Sequence, residues 1–198
     1  MPEPRYSIDR DLAEAKTLAE HLVPYVYEDQ LYGSIGGMFA GSTPRLTVGG
    51  LLLRLHRLHA LEDRLSAAQK AQLTEIEALN EQARSEWTVH YNEKLLSEAS
   101  SRLNVIEAFF ADCEDDPRSC AANYPPEAMR RTIVQVIVET LERLNLPNAD
   151  VDRGARKIDS QLRRFTQPSD FIWAAELQPA FPKDPYWWLY AKPPRTGN

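Results

Sequence analysis

The sequence predicts an all-α protein: an elongated helical bundle with one long central helix and a Pro- and aromatic-rich C-terminal strap packed on it. Three observations predict it. Apolar residues recur at steps of three, four and seven along most of the 198 residues, the spacing of one helical face. No glycine or proline interrupts residues 51–116. Strand-like alternation with helices, and any repeat at a solenoid period, are both missing from the pattern. The whole chain, 1–198, reads as a single helical domain.

The first helix spans about 8–23, with Leu12, Ala15, Leu18, Ala19 and Leu22 on one face. Pro24 lacks a backbone donor and should kink or end it. Six of the eight glycines fall between Gly33 and Gly50, which makes that stretch a hinge or loop. Thr47 can cap a helix over 48–63 carrying Leu51, Leu55 and Leu58. Ser66 and Gln69 then have the spacing of a capping box, which starts a helix at 67.

That helix, 67–113, carries Leu73, Ile76, Ala83, Trp87, Tyr91, Leu95, Ala99, Leu103, Ile106 and Phe110 on one stripe. Unbroken, it would be ~70 Å long, against a radius of gyration of ~16 Å for a compact chain of this size. It therefore breaks, or the molecule is elongated, or a second subunit covers the overhang. Ser97–Ser101, where helix propensity dips, is the natural break point. A two-fold homodimer is the other solution.

A polar connector over 112–124 leads to Pro125-Pro126-Glu127, read as the start of a helix over 126–146. Met129, Ile133, Val134, Ile137, Leu141 and Leu144 give it the most apolar face in the chain. Asn148 or Asp150 can cap a last helix over 150–166. Residues 165–198 hold eight of the 18 aromatics among six prolines. Large aromatics bury too much surface to stand free in water, so this tail should strap onto the helices.

Composition limits the function. Lys and Arg number 23 against 29 Asp and Glu, a net charge of −6, which argues against a dedicated nucleic-acid binder. No apolar run is long enough for a membrane span, and the N-terminal residues lack a signal-peptide pattern, so a cytoplasmic location is expected. Cys113 and Cys120 are spaced to permit a local disulfide. A reducing cytoplasm opposes one, and thiols also serve as small buried apolar groups.

Four motifs invite chemistry. His56, His59 and Asp63 project from one flank of their helix, and Glu86, His90 and Glu93 form a similar set further on. Imidazoles and carboxylates on one face suit a divalent metal. Joining the sets is resisted by geometry: a hairpin near residue 65 puts His56 and His59 opposite roughly Lys70 to Thr74, ~22 Å along the helix from residues 86–93. The glycine stretch 33–43 invites a phosphate-loop reading but lacks the lysine such loops use. Glu139 and Glu142 suggest paired acids, yet the apolar face of their helix turns both outward.

The fourth motif is basic. Arg153, Arg156, Lys157, Arg163 and Arg164 crowd the last helix, beside an aromatic tail that includes Trp187 and Trp188. Residues 1–116 carry 20 acidic and 11 basic side chains, residues 117–198 nine and 12. Pairing between these parts is the simpler account of the basic helix; a partner-binding face is the functional one. The reading that follows is a non-catalytic interaction or regulatory protein, self-associating and needing no cofactor. A metal-dependent helical enzyme built on the His56 face, and nucleic-acid binding through residues 150–166, are the alternatives.

Overall fold

Seven α-helices and three short 3-10 helices carry most of the described residues, and their one sheet is a pair of two-residue strands, so the protein is all-α. The computed structural model describes residues 6–35, 45–115 and 117–194. Most of the glycine stretch, 36–44, lies outside them, and with it the phosphate-loop reading. Among the described residues, packing clusters into two compact units, one within Ser7–Glu98 and one within Ala99–Asn198.

In the Ser7–Glu98 unit, α1 (Ile8–Glu20) packs on α3 (Val48–Ala60) and on α4 (Ala67–Glu86). Ser7 caps α1 by accepting from the Arg10 amide. Between them α2 (Leu22–Tyr27) opens after a break at His21. Pro24 accounts for that break, three residues upstream of itself: in a continuous helix its ring would strike the carbonyl of Glu20, four residues back. Within the first turn of α2 its missing donor costs nothing.

After α2 the chain is pinned close to the core. Gly33 exchanges two backbone hydrogen bonds with Leu46, both 3.0 Å. A Cβ on Gly33 would stand 2.9 Å from the Tyr25 ring, so only glycine fits. Thr47 caps α3 as expected, accepting from Gly50 N at 3.0 Å. The fully buried carboxylate of Glu98, on α5 (Thr88–Asp115), accepts from Gly49 N at 2.8 Å in the same turn, at the positive end of the helix dipole. α4 starts at Ala67 with both bonds of the Ser66–Gln69 capping box made.

The long apolar stripe is broken, but not at Ser97–Ser101. α4 ends at Glu86 and α5 spans Thr88–Asp115. Trp87, between them, has left helical geometry with ψ 39°. The Thr88 hydroxyl donates toward the Arg84 and Ser85 carbonyls at 2.9 and 3.2 Å, satisfying acceptors that the interrupted ladder leaves open. Tyr91 Oη then reaches Asn80 Oδ1 at 2.9 Å, although 11 residues of straight helix would separate their backbones by ~16 Å. Leu73, Ile76, Ala83, Tyr91, Leu95, Ala99, Leu103, Ile106 and Phe110 are all buried within one chain.

The Ala99–Asn198 unit is built from the rest of α5, α6 (Pro117–Arg143), α7 (Ala149–Phe165) and the C-terminal strap. α6 begins nine residues earlier than expected, with Pro125 and Pro126 inside it. Buried Cys120 and Tyr124 hold the extra turns in place. Cys120 is disulfide-bonded to Cys113, so the two thiols are neither free nor simply packed. Tyr124 Oη donates to the Trp188 carbonyl at 2.8 Å.

α6 ends in a two-bond reverse turn. Asn145 adopts φ 52°, while its amide and that of Leu146 bond back to Glu142 and Leu141. α7 follows, and a Cβ on Gly154 would come within 2.9 Å of Leu103 on α5. The strap then doubles back through β1 (Gln167–Pro168) and β2 (Ala191–Lys192), an antiparallel pair. α6 supplies polar anchors for it. Trp188 Nε1 donates to Thr132 Oγ1 at 2.9 Å, and Tyr186 Oη donates to both Glu139 oxygens at 2.9 and 3.1 Å. Glu139 is therefore a strap anchor and not simply a solvated acid.

Candidate functional site

α2 and α5 face each other within the Ser7–Glu98 unit, and the space between them is a cleft of about 320 Å³. α2 delivers Val26 and Tyr27 to it, and the chain leaving that helix adds Glu28, Asp29 and Leu31. The opposite wall is one flank of α5: His90, Glu93, Lys94 and Ser97, at spacings of three, four and seven. The break at Trp87 decides which flank of α5 turns toward α2.

Aromatic groups frame the mouth. The Tyr27 ring lies 4.3 Å from that of Trp87, tilted at 67°, and 5.4 Å from the His90 imidazole. Tyr27 is nonetheless 58% exposed. The Trp87 indole nitrogen is buried without a hydrogen-bond partner. Glu28, Asp29 and Glu93 are exposed around the cleft, and the Glu93 carboxylate lies 3.8 Å from His90 Nδ1.

Lys94 is the cleft's one lysine and it is structural. Only 8% exposed, its Nζ donates to the carbonyls of Glu28 and Gln30 at 2.5 and 2.6 Å and lies over the Tyr25 ring. Burial pulls its pKa below the ordinary lysine value, against the opposing charges of Glu28 and Asp29. Tyr25 Oη donates to the Leu31 carbonyl at 2.6 Å. Together these bonds fix residues 28–31, so the rim of the cleft is preformed.

Among the described residues, no group of three or more His, Cys, Asp or Glu side chains is placed to hold a metal ion. His59 Nε2 meets Glu77 Oε1 on α4 at 2.6 Å, beyond the Lys70 to Thr74 span that the hairpin register suggests. His56 sits half-buried on α3, and Asp63 is exposed in a 3-10 turn after that helix. Glu86, at the end of α4, accepts from Gln82, whereas His90 belongs to the cleft. The structure thus spreads these five residues over several neighbourhoods.

No family model, curated protein or solved structure matches the chain.

The basic residues of α7 divide. Arg153 pairs with Asp150, Lys157 with Glu107 on α5, and Arg164 with Glu114 on α5. All of these are exposed pairs of small energetic weight. The Arg163 guanidinium lies 4.1 Å from the Trp187 ring centre. Arg156 is exposed. Trp188 is buried beneath Arg131, which corrects its assignment as a partner-binding residue: it is core. No helix of the described residues is long and apolar enough to cross a membrane.

Of the cleft residues, only His90 and Glu93 stand out from sequence, and for a different chemistry. The available signal is the His90, Glu93, Lys94, Ser97 flank just after an aromatic at Trp87. Its partner, Tyr27, is 60 residues away from Trp87, and nothing local links them.

Proposed function

We propose that this chain works by binding a protein partner through the Tyr27, Trp87 and His90 surface of its Ser7–Glu98 unit, without chemistry of its own. One observation carries the reading: Tyr27 is held against a second aromatic ring yet left 58% exposed. A large ring that is both fixed and wet loses little conformational entropy on binding and gains apolar burial, which is why aromatics dominate interface energetics. The long apolar stripe does not by itself require a second copy, because nine of its ten residues, all but Trp87, are buried within a single chain.

Replacing Tyr27 by the photocrosslinker p-benzoylphenylalanine in living cells tests this. A dominant adduct at position 27, absent with the same group at exposed Ala71 on α4, is expected. Equal crosslinking at both positions overturns the reading. Sedimentation at micromolar concentration adds a second arm: a dimer dissociated by Tyr27→Glu would make the partner a second copy of this chain.

A further inference from the structure

We propose that the cleft takes a basic segment of the partner, with one arginine or lysine side chain lying along Tyr27 among the carboxylates of Glu28, Asp29 and Glu93. This rests on the interaction reading above and adds the chemistry of the partner. Volume is the first argument. About 320 Å³ is at the small end of ligand sites; it suits one long side chain rather than a folded surface.

Charge is the second argument. Three carboxylates line the cleft against a single ammonium, and that ammonium is already engaged by two carbonyls and the Tyr25 ring. Residues 7–98 carry 14 acidic and nine basic side chains, a net of −5, so the field beyond the cleft has the same sign. An acidic segment would be repelled, and an apolar one would strip water from three carboxylates without replacing it.

The aromatic wall is the third argument. A guanidinium or ammonium is attracted to the face of a tyrosine ring while its stem packs on that ring. Tyr27 offers such a surface next to the carboxylates. Lys94 shows the same chemistry in miniature, with its ammonium 4.5 Å from the Tyr25 ring centre and bound to oxygen atoms. The segment 28–31 that carries two of the acids is held by Lys94 and Tyr25, so binding need not order it first.

Fluorescence anisotropy on the full chain tests the proposal, using a labelled nine-residue peptide with arginine at every third position and alanine elsewhere, and its glutamate counterpart. The arginine peptide should bind saturably and the glutamate peptide should not. Glu28→Gln/Glu93→Gln should weaken binding roughly tenfold, and Tyr27→Ala about threefold. Asp63→Asn/Glu75→Gln removes the same charge elsewhere on this unit and should change affinity less than about twofold. No saturable binding up to about 1 mM, a weakness corresponding to roughly the millimolar limit of specific contacts, overturns the proposal, as does equal loss in the control variant. Crosslinking at position 27 separates the two readings. An adduct that maps to a neutral or acidic partner segment leaves the interaction reading standing and removes this one; neither adduct nor peptide binding removes both.

Discussion

Arg131 on α6 and Asp159 on α7 meet through two side-by-side hydrogen bonds, Nε to Oδ1 at 2.8 Å and the guanidinium NH2 to Oδ2 at 3.0 Å. The same guanidinium lies 4.0 Å from the ring centre of Trp188. One planar cation thus joins two helices and the C-terminal strap. A lysine could not do this, since the paired geometry and the stacking both need the flat fork. Asp159→Ala should cost about 3 kcal/mol in urea denaturation, because it strands a buried charge. Arg131→Lys should also destabilise. Wild-type stability in either variant would show the pair to be dispensable.

The strap should behave as core. Trp188→Ala should cost ~3–5 kcal/mol, the scale of removing a large buried ring. Thr132→Val, which leaves the indole N–H without its acceptor, should cost about 1–3 kcal/mol. Deleting residues 168–198 should unfold the Ala99–Asn198 unit. An unchanged melting temperature after deletion would mean that the tail does not complete the core.

The Cys113–Cys120 bond closes a short loop, with a sequence separation of seven, across the junction of α5 and α6. Chain-entropy reasoning gives a bond of that span a stabilisation of about 2–3 kcal/mol. A reductant should therefore lower the denaturation midpoint, and a Cys113→Ser/Cys120→Ser variant should be insensitive to it. Two titratable thiols in the unreduced protein would contradict the pairing.

Glu14 on α1 predicts a pH effect. Burial alone would raise its pKa; hydrogen bonds from Arg54 and Arg10, with their charges, outweigh burial and hold it below the usual value. A lowered pKa in the folded state gives stability that is present above the unfolded pKa, about 4.3. That stability is lost as pH falls through the lower folded value. Glu14→Gln should cost about 2 kcal/mol at pH 7. Its stability should then fall less steeply than that of the wild type below pH ~4. Parallel curves would show that Glu14 is not the group responsible.

Helix starts were legible wherever the determinant is local. Thr47 and the Ser66–Gln69 box lie within three residues of the amides they satisfy, so their patterns carry the information themselves. Helix ends and breaks were less so. A dip in propensity at Ser97–Ser101 did not interrupt α5, because Glu98 and Ala99 are fully buried there and packing outweighs tenths of a kcal/mol. The actual break, at Trp87, coincides with its contact to Tyr27, which no local pattern encodes. Likewise, Pro125 and Pro126 looked like a helix start, whereas Tyr124 and Cys120 find partners that extend α6 past them.

By itself, the sequence determined the helical class, most helix starts and that the aromatic tail packs rather than standing free: Phe181, Tyr186 and Trp188 are buried and its other rings half-buried. Hydrophobic period, caps and aromatic area are properties of neighbours in the chain or of single side chains. Tertiary structure decided what the tail packs on, which flank of α5 faces α2, and where His56 and His59 stand relative to Glu86 and His90. It also decided that Tyr27, Lys94 and three acids line one cleft, with Trp87 against the Tyr27 ring. These are relations between residues up to tens of positions apart. They are fixed by the direction of a break and the packing of one element on another, which periodicity within either element does not contain.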